Sequence, residues 1–315
     1  MDSITQMALG GALGAAVGGK KYGKKSALIG AFAGAIPDFD VFFFVNSDPV
    51  TSFTYHRGFT HAFLFAFIAT PIVAHLLSKI KKLNVDFKDR CLHCIIFLGL
   101  FTHPLLDALT IYGTQLFWPI PSYPIGLGSM FIIDPLYSFP LFLGLAWFWK
   151  YGSQKAANVA LIISTLYIVW GVAVQQYVYS IANQQLSVEN HRVLVQTTPL
   201  NTILWRIVVM KEDTYDVGYY SLFDDTKDVA FTSYPREISA LPPREDSETL
   251  RRLAWFTKGF YGVSTQNNRV VVSDLRMGNE PNSYIFQFYL DDRSKANSSR
   301  DFDAGKTWQR IWRDL

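Results

Sequence analysis

Apolar residues fall in long runs from Ile4 to about Ile181, with short polar breaks between them. A helix that crosses the hydrocarbon core of a bilayer needs about 20 residues. Six runs approach that length, roughly 4–19, 26–45, 59–78, 91–111, 130–149 and 156–181. The first is short and rich in Gly and Ala. From about Asn183 the pattern changes and charges return at the density of a soluble protein. RVLVQ, LWRIVVM, VGYYSLF, RVVVSDL and YIFQFYL carry β-branched or aromatic residues in partial alternation, which predicts strands. DSETLRRLAWFTKGF (246–260) predicts one helix: Asp246 or Ser247 can cap it, and Leu250, Leu253 and Phe256 repeat at helical spacing. The predicted fold is a polytopic α-helical membrane domain of about six transmembrane helices, residues 1–182, followed by a small mixed, mostly β soluble domain, residues 183–315.

Half of the 315 residues are hydrophobic, which suits an integral membrane protein. The placement of lysines adds orientation. KKYGKK (20–25) carries four lysines, SKIKKLNVDFKDR (78–90) five basic residues and KYGSQK (150–155) two. Loops 46–58 and 112–129 carry only Arg57 between them. Basic loops stay cytoplasmic, so both termini, the HRGFTH stretch and the C-terminal domain are expected on the extracytoplasmic side. Asp2 is the only charge before Lys20, so the first run reads as an uncleaved span and not a signal peptide. No basic stripe interleaved with aromatics is present, which argues against nucleic-acid binding. The two cysteines, Cys91 and Cys94, imply no disulfide framework, and one CxxC pair is a weak metal signal.

Ionisable residues within membrane segments are costly and need partners or a purpose. Depth along each span follows from the helical rise of about 1.5 Å per residue. Asp38 and His103 lie roughly 18 Å above the cytoplasmic ends of their spans, Asp40 and Gln6 roughly 21 Å, and His61, Asp107 and Asp134 roughly 24–25 Å. Five spans thus put a polar group in one band. His103 and Asp107 are four apart and share a helix face. Pro37 in AIPDFD ends or distorts its helix, leaving Asp38 and Asp40 on irregular backbone. His75 and His93 fall near the cytoplasmic ends, outside the band. Histidines and aspartates are ligands for Zn²⁺, and also for Mn²⁺ or Fe²⁺, with donors enough for one or two ions. Asp2 is either a further ligand or a solvated terminus.

The strings MDSITQ, PDFD, HRGFTH and HPLLD, in that order, resemble the YdjM-like family of inner-membrane, metal-dependent hydrolases. TTPLNTILWRIV (197–208) resembles a subgroup of it. The resemblance implies a bacterial inner-membrane hydrolase whose metal ligands are Asp38, Asp40, His56, His61, His103 and Asp107. Many relatives carry a histidine where Gln6 stands here. The expected activity is hydrolysis by metal-activated water at the outer face of the membrane, on a lipid or lipid-linked phosphate ester. Asp134 is expected as base, ligand or orienting group, and Arg57 as the group that neutralises developing charge, or as a head-group anchor. Two alternatives stand beside it: an acyl or amide hydrolase with the same metal, and a cation or proton-coupled transporter. The soluble domain has one histidine, His191, and no catalytic cluster, so it covers the site or selects substrate.

Overall fold

The computed structural model describes residues 1–43, 47–120, 123–186, 192–242, 247–281, 283–290 and 296–298. His191 and Asp246 lie outside them. The first part is helical: α1 (Ser3–Tyr22), α2 (Lys24–Ala35), α3 (Pro49–Tyr55), α4 (Phe63–Ser78), α5 (Arg90–Leu109), α6 (Pro135–Tyr151) and α7 (Gln154–Gln185). Three segments are long and apolar enough to cross a membrane: Lys24–Phe43, Arg90–Leu109 and Gln154–Gln185. A fourth is available if the pair Pro49–His61 and Phe63–Ser78, bent by 61°, counts as one broken span. By length and composition, then, the described residues offer three or four spans where six were expected.

Glycine decides how the first two helices meet. Gly10 and Gly14 on α1 face Gly30 and Gly34 on α2, both pairs in small-xxx-small spacing. A Cβ on Gly30 would lie 2.1 Å from the Gly10 carbonyl oxygen, and one on Gly14 would lie 2.1 Å from that of Ser26. The two backbones touch, and only glycine permits it. Gly99 on α5 is also tightly packed, with a Cβ there 2.8 Å from the Ala33 side chain. These contacts pack the end of α1 that carries Gly10 and the end of α2 that carries Gly34 against α5.

Proline and polar caps then shape the segments near those ends. α2 stops at Ala35, and Pro37 sits in a 3₁₀ segment, Ile36–Phe43, that carries Asp38 and Asp40. The expected span 59–78 is broken as well: Phe59–His61 is a 3₁₀ turn and the helix begins only at Phe63. Pro104 sits inside α5 without ending it, so His103 and Asp107 do share a helical face. Asp134 caps α6, with its carboxylate accepting from the backbone N–H of Leu136 and Tyr137.

The C-terminal part is mostly β. One antiparallel sheet has the order β1-β2-β3-β4, formed by Arg192–Thr197, Leu204–Met210, Thr214–Ser221 and Phe231–Pro235. α8 (Glu248–Phe256) follows, capped by Ser247 Oγ, which accepts from Leu250 N at 3.2 Å. β5 (Tyr261–Gln266), β6 (Arg269–Asp274), β9 (Gln287–Leu290) and β10 (Ala296–Ser298) form the second sheet, and the short β7 (Gly278–Asn279) and β8 (Ser283–Tyr284) pair separately. A shared core joins this part to the helices: Phe53 and Tyr112 pack with Leu253, Phe256 and Phe288. Arg252 on α8 donates to Thr54 Oγ1 at 2.6 Å, and Gln175 on α7 donates to Leu127 O and Val195 O.

Candidate metal centre

Four residues from three segments converge: Asp38 from the 3₁₀ segment after α2, His61 from the turn before α4, and His103 and Asp107 from α5. One ligand atom from each lies within 4.8 Å of the other three. His61, His103 and Asp107 are fully buried, and Asp38 keeps 16 % of its side chain exposed. His61 Nε2 and His103 Nε2 face each other at 3.1 Å. Asp107 Oδ2 is 3.3 Å from His61 Nε2 and 3.6 Å from His103 Nε2. Asp38 Oδ1 is 3.7 Å and 3.3 Å from the same two nitrogens.

These separations test whether a metal fits. Four donors on bonds of about 2.0–2.1 Å around a tetrahedral ion stand about 3.3–3.4 Å apart. The five edges here run from 3.1 to 3.7 Å. Asp107 Oδ2 is also buried with no hydrogen bond. A carboxylate oxygen buried among imidazole nitrogens needs a counter-charge, and Arg57 Nε lies 3.1 Å from it without making a hydrogen bond. The other oxygen of the same group is engaged: Gln6 Nε2 donates to Asp107 Oδ1 at 3.0 Å, and the Met1 amino group also contacts it. The group could therefore hold a metal ion, and its nitrogen and oxygen donors suit a borderline or hard divalent ion.

Both histidines are oriented from behind. His103 Nδ1 is 2.6 Å from the Gly34 carbonyl oxygen, so Nδ1–H donates there and Nε2 presents a lone pair to the cluster. His61 Nδ1 is 3.0 Å from Thr60 Oγ1, and Thr60 Oγ1 in turn donates to Asp40 Oδ2 at 3.1 Å. The tight α1–α2 contact thus has a chemical consequence, because it fixes the carbonyl that aims His103.

The remaining candidates stand beside the cluster. Asp40 Oδ1 pairs with His56 Nδ1 at 2.9 Å, and Asp40 Oδ2 accepts from Arg57 N at 3.1 Å. Its nearest approach to the cluster is Oδ2 to His61 Nδ1, 3.6 Å, on the face of that ring turned away from the other ligands. His56 is 30 % exposed and sits against the Tyr112 ring. Arg57 is buried. Its Nε lies 3.1 Å from Asp107 Oδ2, its Nη1 donates to Thr110 Oγ1 at 3.0 Å, and its guanidinium lies 4.9 Å from the Tyr112 ring centre. Asp134 is occupied elsewhere: besides capping α6 it accepts from Tyr167 Oη at 2.9 Å. Asp2 caps α1, accepting from Thr5 N at 2.9 Å. His75 and His93 pack on Phe87. Sequence reasoning missed Thr60, Thr110 and Tyr112. A threonine or tyrosine beside an apolar run gives no signal until its neighbours in space are known.

No curated protein and no solved structure matches the chain. A family model does match, over residues 1–178, which takes in every residue of the cluster and its supports. The chain belongs to the YdjM inner membrane protein family.

Proposed function

We propose that this protein is a membrane-embedded, metal-dependent hydrolase that acts on a lipid-linked phosphate ester at the outer face of the membrane. The observation that carries the reading is the convergence of four donors, five of whose six separations run from 3.1 to 3.7 Å, near the edge length of a tetrahedral ion site. Asp38, His61, His103 and Asp107 would hold the ion. When bound, such an ion supplies Lewis acidity and lowers the pKa of water towards about 7. Asp38, the exposed member, faces the substrate side. Beside it Phe39, Val41, Phe42 and Phe43 are 47, 53, 73 and 71 % exposed, an apolar margin suited to an acyl chain. His56 carries the proton. Asp40 accepts from its Nδ1–H, which leaves Nε2 free at a partly exposed edge to take or give a proton. Arg57 balances the negative charge of Asp107 and turns its backbone N–H to Asp40. Six crossings fit this reading, with α1 and α6 added to the four apolar segments. The lysine-rich loops then face the cytoplasm and the β part lies outside.

The test is metal content and turnover measured together. Purified protein should carry about one equivalent of a divalent transition ion. His61→Ala and His103→Ala should lose it, and His75→Ala should keep it. Release of phosphate or head group from a panel of bacterial lipids should stop with chelator. Chelator-insensitive release, or equal metal loss in all three variants, would overturn the proposal.

A further inference from the structure

A partly open pocket lies where the helical part meets the sheets. It holds about 150 Å³, between Ile111 and Met130 on the helical side and Gln196, Arg206 and Met277 on the β side. The TTPLNT stretch supplies part of its wall through Thr197, Thr198 and Pro199. Most of the lining is apolar, yet two buried polar atoms of lining residues have no partner: Gln196 Oε1 and Arg206 Nε. The two residues are 6 % and 3 % exposed. Their remaining polar atoms are used. Gln196 Nε2 donates to Arg276 O at 2.9 Å, Arg206 Nη1 donates to Leu275 O at 2.8 Å, and Arg206 Nη2 pairs with Glu280.

The formal charges cancel, since Arg206 has Glu280 and Arg276 has Asp274. An anion gains nothing in such a space. These two buried side chains leave over one acceptor and one donor, in a largely apolar lining that also includes Tyr219, Asn279 and Ser283. A neutral hydroxyl or primary amide answers both, because it donates and accepts through one small group. A cavity of about 150 Å³ is large enough for a molecule the size of benzene. We infer that this cavity is a binding site for a small neutral amphiphile, an alcohol or amide with a compact apolar body, or the neutral polar end of a lipid. Its position bears on the metal centre: Ile111 in its wall stands between Thr110 and Tyr112, the two residues that hold the Arg57 side chain beside Asp107.

The probes are benzyl alcohol and toluene, which share a shape and differ in the hydroxyl. The chain has five methionines, and Met130 and Met277 line the cavity. Methyl-labelled methionine NMR of the full chain in nanodiscs separates binding from partition into lipid, because Met7, 42 % exposed on α1, reports partition and does not line the cavity. Benzyl alcohol should shift Met130 and Met277 saturably, and toluene should bind at least roughly tenfold more weakly, the factor expected for one unanswered polar pair. Gln196→Leu should weaken benzyl alcohol and leave toluene unchanged. If that variant does not fold, the comparison of the two probes on the native chain still decides. Monooctanoylglycerol distinguishes the sources: displacement of the alcohol assigns a lipid end, and failure to displace it assigns a free small molecule. Equal affinity for the two aromatic probes would reduce the site to an apolar void. The absence of any saturable shift at Met130 and Met277 would leave it a water-filled space, and either result overturns the inference.

Discussion

Replacing Arg276 by Met should separate two tasks that one side chain performs. Arg276 Nε and Nη2 donate to the two carboxylate oxygens of Asp274 at 2.8 and 2.7 Å, and both residues are 1 % exposed. Arg276 Nη1 reaches across to Tyr112 O at 3.0 Å and Ile111 O at 3.4 Å. The substitution leaves the Asp274 charge buried and unpaired, a loss of about 3–5 kcal/mol. It also leaves two carbonyls without their donor, about 1 kcal/mol each. Adding Asp274→Leu removes the stranded charge, so the double variant should lose only the second part, about 1–2 kcal/mol. The double variant is thus expected to be more stable than the single one. Urea titration in one detergent, followed by tryptophan fluorescence, reads the difference through Trp205, which is fully buried in the β part. A double variant less stable than Arg276→Met would refute the reasoning. Either variant should also bind metal more weakly than the native chain, because the Tyr112 backbone loses the contact that steadies its ring against Arg57.

Two further outcomes follow from particular contacts. Gly30→Ala places a methyl group 2.1 Å from the Gly10 carbonyl oxygen, so α1 and α2 must part. Overpacking of this kind costs about 1–3 kcal/mol, and metal content should fall with thermal stability because Gly34 O aims His103; retention of both would show that the helices do not meet through these glycines. Lys258 donates to Gly126 O at 3.0 Å, yet burial, with Arg276 nearby, lowers its pKa from 10.5 to about 8. The unfolded chain then binds the extra proton between those values, so stability should rise as pH increases from 8 to 10.5, by at most about 3 kcal/mol, and Lys258→Met should flatten that part of the profile. An unchanged slope in the variant would assign the pH dependence to other groups.

The strands were largely legible because their residues alternate or are broadly β-branched. LWRIVVM coincides with β2, and RVLVQ and RVVVSDL fall within a residue of β1 and β6. β4 and β5 were not legible. FTSYP ends in proline on the last strand of its sheet, and YGVSTQ turns polar side chains outward over half its length. α3 was also passed over, although Asp48 accepts from Thr51 N at 2.9 Å and Pro49 stands at the first helical position, a start signal readable in the sequence. The spans were harder. Length and apolarity locate a run but do not reveal a bend, and the break before Phe63 depends on how Arg57 and Gly58 turn the chain.

That turn explains why two histidines five residues apart perform different tasks. On a continuous helix they would point about 140° apart, with no reason for one to meet α5 and the other an aspartate before α3. Arg57 instead adopts φ of 63°, a left-handed conformation uncommon for a side chain of its size. It is held there at both ends. Its N–H donates to Asp40 Oδ2 at 3.1 Å and its carbonyl accepts from Gln115 N at 3.0 Å. The reversal leaves His56 at the partly exposed end of α3, against Asp40 and Tyr112. It then carries His61 inward through one 3₁₀ turn to face His103. The polar band was legible because charge within apolar sequence is conspicuous. The division of that band into four donors around one point and a neighbouring histidine–aspartate pair depends on this backbone reversal and on the proline-broken end of α2. Neither can be read from spacing, since each is fixed by a side chain far away in the sequence.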